Sequence, residues 1–283
     1  MKLIECPRDA MQGIHEFIPT EKKVAYINSI LKCGFDTVDF GSFVSPKAIP
    51  QMQDTAQVLE QLDLSTTTSK LLAIIANVRG AQDAVEFEEI SYLGFPFSIS
   101  ETFQQRNTNS SISESLTRVE EIQDLCVRNR KELVVYISMA FGNPYGDEWS
   151  SGVVVSWTRR LAQMGIKIIA LSDTIGVSNP ENISSLFSEI IPEFPMVEIG
   201  AHLHTTPDTW EEKVHAAYKS GCRRFDSAIK GYGGCPMAAD KLTGNMPTEN
   251  VLSYFKNNKI QTGIDSIAFE EAMRIAAITF PIE

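Results

Sequence analysis

The sequence predicts a closed α/β barrel of the TIM (β/α)8 type, on three observations. Short β-rich runs alternate about eight times with longer amphipathic runs, and that alternation implies a parallel sheet that closes. The chain has 283 residues, and one such barrel needs ~250. No linker, low-complexity tract or second composition regime breaks the pattern, so residues 1–283 read as one domain with extra C-terminal helices.

Taken in order, residues 3–6 form the first strand and 21–33 a helix, with Ile27, Ile30 and Leu31 at helical spacing. Residues 37–40 are the second strand. Residues 46–62 read as one helix carrying Met52, Val58, Leu59 and Leu62. A third strand at 71–76 leads to a short helical piece at 82–87 and a fourth strand at 89–95. Residues 113–128 are a helix that Ser113 is expected to cap, with Glu114 in its first turn. The fifth strand is 133–140, followed by a helix at 150–164 that Gly165 ends. The sixth strand, 167–171, precedes a helix at 182–190 begun after Asn179-Pro180. The seventh strand, 197–202, precedes a helix at 210–219, and the eighth is 224–228. Helices at 248–257 and 268–278 complete the chain.

Composition narrows the partners. The formal net charge is −11, from 36 acidic and 25 basic residues, which argues against a nucleic-acid platform. An anionic small substrate is still compatible, because a local pocket can be positive on an acidic protein. The five cysteines (Cys6, Cys33, Cys126, Cys222 and Cys235) are scattered and form no Cys-x-x-Cys pair, so neither a disulfide framework nor a structural zinc site is expected. The first residues show no apolar signal core, and no apolar run approaches the ~18 residues of a membrane helix. A cytoplasmic protein with no membrane partner is the expectation.

In a barrel of this type the C-terminal strand ends build the active site. Here those ends carry Pro7-Arg8-Asp9-Ala10-Met11-Gln12, then Asp39 and Gly41-Ser42, then Ser138 with Gly142-Asn143-Pro144-Tyr145. They continue with Asp173-Thr174, with His202 and His204, and with Gly233-Gly234-Cys235-Pro236 before Gly244-Asn245. In a strand, side chains two apart share a side, so His202 and His204 present both imidazoles to one place. Each group alone also fits a structural role: Asp39 and Asp173 as helix caps or partners of an arginine, Cys235 as a small residue in a glycine turn. His15 and His215 have no matching ligands beside them.

Together they fit a hard divalent cation with oxygen and nitrogen ligands. Asp9 offers a carboxylate, His202 and His204 imidazoles, and Asn245 an amide oxygen; Mg²⁺ or Mn²⁺ with positions open to substrate suits that set. Such an ion acts as a Lewis acid on substrate oxygens. Arg8 beside Asp9 can stabilise a developing oxyanion, and Cys235 on a glycine-rich loop can deliver or accept a proton.

At these residues the sequence resembles the 3-hydroxy-3-methylglutaryl-CoA lyases, within the wider group of metal-dependent TIM-barrel lyases and Claisen-type synthases. The resemblance runs over nearly the whole chain, through Pro7-Arg8-Asp9, residues 42–47, Pro50-Gln51-Met52, 107–115, 142–145, 173–177, His202-x-His204, Gly233-Gly234-Cys235-Pro236 and Gly244-Asn245. The cysteine loop discriminates best, since the lyases carry the cysteine there and the synthases do not need it. The resemblance implies retro-Claisen cleavage of an acyl-CoA substrate to acetyl-CoA and acetoacetate, in a homodimer. It implies Asp9, His202, His204 and Asn245 as metal ligands and Arg8 on the thioester oxygen. It implies Cys235, with a share for His202, in proton transfer, and Asp39 and Asp173 in orienting ligands and substrate. Arg8, Gln12, Ser42 and Thr174 are the candidate substrate-binding residues.

The sequence departs from that pattern in places. Asp39 stands where the family usually has a glutamate and Thr205 where an aspartate is usual. Cys6 and Ala10 replace glycines, Ala170 replaces a serine, and Tyr232 and Met237 alter the cysteine loop. Two other readings stay open at this point: a related aldolase or synthase acting on another hydroxy acid, and a non-catalytic barrel that binds an acyl-CoA or a metal.

Overall fold

Eight parallel strands close on themselves in chain order in the computed structural model, which describes residues 1–234 and 243–280. Strand β1 (Lys2–Glu5) leads into helix α1 (Pro7–Gln12), then α2 (Thr20–Leu31) and β2 (Thr37–Ser42). A 3₁₀ turn at Pro50–Met52 and α3 (Thr55–Leu59) precede β3 (Lys70–Ile74) and α4 (Val78–Val85). After β4 (Ile90–Ser98) come α5 (Glu101–Thr108) and α6 (Ile112–Arg128), then β5 (Glu132–Ser138) and α7 (Ser151–Gln163). Next are β6 (Ile168–Ser172), α8 (Pro180–Glu193), β7 (Glu198–His202), the two-residue β8 (His204–Thr205) and α9 (Trp210–Lys219). The chain continues through β9 (Arg224–Ser227), a 3₁₀ turn at Ile229–Gly231, β10 (Gly244–Asn245), α10 (Thr248–Asn257) and α11 (Ser266–Thr279). The eighth barrel strand is β9, which pairs with β1 from Lys2–Arg224 to Glu5–Ser227.

Period-two alternation sorts the strand residues into two cores. Leu72, Tyr92, Val134, Tyr136, Ile168 and Ala170 point inward and fill the barrel. Their neighbours Leu71, Leu133, Val135, Ile137, Ile169 and Leu171 point outward under the helices. The same alternation carried two residues further delivers Ser138, Ser172, His202 and Asp226 to the inside of the C-terminal mouth.

The helices begin where short polar side chains catch free backbone N–H groups. Asn77, Ser100, Ser150, Asn179 and Asp265 each accept such a bond at the start of a helix. The cap of α6 is Ser111, in a reciprocal capping box with Glu114, two residues earlier than the Ser113 expected from sequence.

Two further expectations are corrected. The helix expected over 46–62 is broken into a 3₁₀ turn and a five-residue helix. Side chains pull this segment into the core instead: Gln51 bonds Ile18 N and the carbonyls of Ile14 and Glu16, and Lys23 pairs with Asp54 at 2.7 Å. Thr55 then sits against β2, where a Cβ on Gly41 would lie 2.5 Å from its methyl group. The segment after β1, where no helix was expected, is helical, because Pro7 at its first turn has φ set for a helix. Helix α5 lay outside the expected set, since only Phe103 and Gln104 of its residues are buried and it lacks an apolar stripe.

Candidate active site

The first turn of α1 places Arg8, Asp9 and Gln12 on the barrel mouth. Residues three and four apart share a helix face, and Gln12 Nε2 donates to Asp9 Oδ1 at 2.6 Å while its Oε1 accepts from Arg8 Nη1 at 3.0 Å. Arg8 Nε reaches both oxygens of Asp39, at 3.2 and 3.1 Å, and Nη2 also donates to Asp39. Its Nη1 lies 3.1 Å from Asp9 Oδ1. Arg8, Asp9 and Asp39 are all buried. Of the five N–H groups of a guanidinium, these contacts among the described residues leave one on Nη2 for a further oxygen.

Strand β7 ends at His202, where the expected strand ends, and β8 begins at His204 after the buried Leu203. The rings nevertheless converge, with centroids 5.5 Å apart. His202 Nδ1 lies 3.1 Å from Asp226 Oδ2, and its Nε2 lies 3.6 Å from Asp9 Oδ2. His204 Nδ1 lies 3.1 Å from the carbonyl oxygen of Thr174. A carbonyl only accepts, so the proton of His204 belongs on Nδ1 and its lone pair on Nε2. Among the described residues that Nε2 is buried with no hydrogen-bond partner. One ligand atom from each of Asp9, His202 and His204 lies within 4.8 Å of the others. An orphaned imidazole lone pair beside a carboxylate and a second imidazole is the donor set a divalent cation takes.

Antiparallel pairing of β8 with β10 sets Asn245 opposite His204. The Asn245 amide donates to Tyr232 O at 2.8 Å and bonds Asp9. Gly233, at φ +84°, runs so close that a Cβ there would lie 2.6 Å from Asp9 O and 2.9 Å from Asn245 Nδ2. Only glycine fits that crossing.

The electrostatics match the geometry. Burial pushes His204 down to about 4, with the neighbouring His202 adding to the effect, so its imidazole is neutral at pH 7. His202 moves the other way: burial opposes charge, but the bond and charge of Asp226 raise it. Asp9 is held below the usual carboxylate range despite its burial, through Arg8 and the two histidines. Burial pushes Asp39 up to about 6, against the pull of Arg8.

The HMGL-like family model matches residues 3–276. The chain belongs to the HMGL-like family. It is 32% identical over 275 residues to the 3-hydroxy-3-methylglutaryl-CoA lyase, cytoplasmic, of Danio rerio, covering 96% of this chain and 81% of that protein. Among solved structures it resembles the hydroxymethylglutaryl-CoA lyase of Pseudomonas aeruginosa at 31% identity and a TM-score of 0.91, covering 98% of this chain and 92% of that one. An A. baumannii HMG-CoA lyase in complex with coenzyme A and 3-methylmalate matches at 30% identity and a TM-score of 0.90, covering 99% and 90%.

In this HMGL-like chain the mouth of the barrel holds a cavity of about 380 Å³. Arg8, Asp9, Gln12, Thr174, His202 and His204 line it. Thr174 Oγ1 accepts from Met139 N at 2.8 Å. Asp39 reaches the cavity only through Arg8. Ser42 and Asp173 stand apart from the lining: Ser42 Oγ accepts from Val44 N at 3.2 Å, and Asp173 is engaged by Ser178 and Lys213. Cys235, like Met237, lies outside the described residues.

Asp226 was not among the residues singled out from sequence. The available signal was a carboxylate at an inward position of the eighth strand, which a barrel core would not tolerate without a partner. Tyr136 was missed as well; it packs edge-on to His202 with centroids 5.6 Å apart and an interplanar angle of 83°.

Proposed function

We propose that this chain cleaves 3-hydroxy-3-methylglutaryl-CoA to acetyl-CoA and acetoacetate in a divalent-metal-dependent retro-Claisen reaction. One observation carries the reading: Asp9, His202 and the Nε2 of His204, which has no partner among the described residues, converge at the mouth of a barrel that matches the HMGL-like family over residues 3–276. Relatives named as hydroxymethylglutaryl-CoA lyases, and the solved relative with coenzyme A, support an acyl-CoA substrate.

Asp9, His202 and His204 hold the ion, Mg²⁺ or Mn²⁺, and Asn245 completes the set. When bound, the ion supplies Lewis-acid polarisation of substrate oxygens. The reaction removes the proton of the 3-hydroxyl, breaks the C2–C3 bond and leaves a ketone at C3. The bonding pair passes into the thioester, as an enolate that takes a proton at C2 to become the acetyl methyl. Arg8 offers its free Nη2 hydrogen to the thioester oxygen, where negative charge develops. Gln12 and Asp39 hold that guanidinium in place. His202 would take the hydroxyl proton on Nε2, the nitrogen opposite Asp226, in exchange for its bond to the ion, and Cys235 would carry the proton at C2. Apolar walls from Val44, Ile49, Ile74 and Phe103 keep water from the enolate. Ser42 shapes the loop that carries Val44, and Thr174 presents a polar edge to the substrate.

No helix among the described residues is long and apolar enough to cross a membrane. A cytoplasmic location accords with the relative named as cytoplasmic, and a homodimer with the family resemblance. The test of the function is acetoacetate release from hydroxymethylglutaryl-CoA by purified protein. Release with Mg²⁺ or Mn²⁺, lost on chelation and restored by the ion, is the expected result. Tight Mn²⁺ and acyl-CoA binding without cleavage would overturn it.

A further inference from the structure

The geometry points to Lys213 as a positioning residue for His204. The inference rests on the metal-site reading above and deepens it. Strand β8 has two residues, and among the described residues it pairs with β10 through Thr205–Gly244 and His204–Asn245. So short a ladder does not fix the direction of a side chain on its own. Two other contacts hold His204: its Nδ1 faces Thr174 O, and its own carbonyl accepts from Lys213 Nζ at 2.8 Å.

The same ammonium donates to Asp173 Oδ2 at 2.9 Å and to Gly176 O at 3.3 Å. Its three hydrogens therefore each have an acceptor. Asp173 and Gly176 flank Thr174 in sequence. Lys213 thus grips both the main chain of His204 and the loop that holds the ring of His204. That loop is braced in turn. Ser178 donates to Asp173 through Oγ at 2.5 Å and through its N–H at 3.0 Å, and Asp173 N donates to His202 O at 2.9 Å. Asp173, which is not among the cavity's lining residues, therefore acts on both histidines through the main chain, as a positioning residue.

Lys213 is 2% exposed. Burying an ammonium is costly unless it is fully paired, and an apolar residue of similar length would pack there without that cost. What the lysine adds is direction: three bonds to three points around one ligand. Removing such an outer partner of a metal ligand lowers metal affinity by about 10–100-fold.

Mn²⁺ affinity of the full chain, measured by titration calorimetry and by the Mn²⁺ paramagnetic resonance spectrum, tests this. Lys213→Met leaves a buried, half-paired Asp173, so the double variant Lys213→Met/Asp173→Asn, which removes both charges, is measured beside it. Lys23→Met is the control. Lys23 is equally buried and paired with Asp54 at 2.7 Å, but none of its hydrogen-bond partners belongs to the site. The expected result is an Mn²⁺ Kd raised about 10–100-fold in both Lys213 variants, with a changed spectrum and turnover recovered at saturating Mn²⁺. Lys23→Met should lose thermal stability and keep the wild-type affinity. Wild-type affinity in the folded double variant, or an equal loss in Lys23→Met, would overturn the role of Lys213 alone. Absence of Mn²⁺ binding by the unmutated protein would overturn the metal site itself and this role with it.

Discussion

His202 and Asp226 face each other from neighbouring strands, in register, with Nδ1 3.1 Å from Oδ2. The carboxylate fixes the tautomer that leaves Nε2 toward Asp9, and it makes the ring a better electron donor. Asp226→Asn keeps the shape but removes the charge, and it no longer selects which nitrogen carries the proton. Mn²⁺ affinity should fall by about 10–100-fold. Titration calorimetry checks this, and an unchanged affinity would show that the pairing serves packing alone.

Arg8 joins two carboxylates, so its loss should be felt twice. Arg8→Met should lower kcat by about 10²–10³, the usual cost of one donor at a developing oxyanion, with a modest change in KM. The variant also leaves Asp9 and Asp39 buried without their cation, which costs about 3–5 kcal/mol when such a pair is broken. Arg8→Lys should rescue poorly, because an ammonium cannot span Asp39, Asp9 and Gln12 at once. Steady-state kinetics and melting curves on the same samples separate the two effects. A raised KM at unchanged kcat would make Arg8 a binding group.

Cys235→Ser keeps the size of the side chain but offers a much poorer acid. Acetoacetate release should fall by ~10²–10⁴, the usual worth of general acid–base help. Mn²⁺ affinity should not move, because the thiol is outside the ligand set. Reductant is needed throughout, so that oxidation does not imitate the substitution. Full activity in the serine variant would make the cysteine structural.

Glu5 gives a pH-dependent stability. It is fully buried, accepting from Thr248 Oγ1 at 2.6 Å and from Ile229 N at 2.8 Å. Burial pushes its carboxyl up to about 8, against the pull of those two bonds. The folded state therefore keeps a proton that the unfolded chain, with an ordinary glutamate near 4.3, gives up. The stabilisation is complete below that ordinary value and is lost as pH rises toward about 8. Relative to Glu5→Gln, the wild type should lose stability steadily across that window, on the order of a few kcal/mol in all, read from melting curves taken at each pH. A constant difference between the two proteins would show that Glu5 is ionised in the fold.

The barrel was legible because hydrophobic periodicity and strand–helix alternation are local patterns. The segment over 46–62 shows the limit: its apolar spacing reads as a helix, yet Gln51 and Lys23 draw it into tertiary bonds that stop one from forming. Capping residues were legible in kind, but placing the start of α6 at Ser111 required the reciprocal bond to Glu114.

The candidate site divides the same way. Arg8 and Asp9 could be marked from sequence because they follow a strand end, and His202 and His204 because side chains two apart in a strand share a side. The sequence therefore determined the barrel and the kinds of group at its mouth. Tertiary structure alone decided which groups meet. It set Asp226 behind His202, left His204 Nε2 without a partner among the described residues, and brought Lys213 from the following helix under the His204 carbonyl. The reason is physical: a side chain's partners in a closed barrel come from strands and helices far away in sequence, and their register is fixed only when the sheet closes.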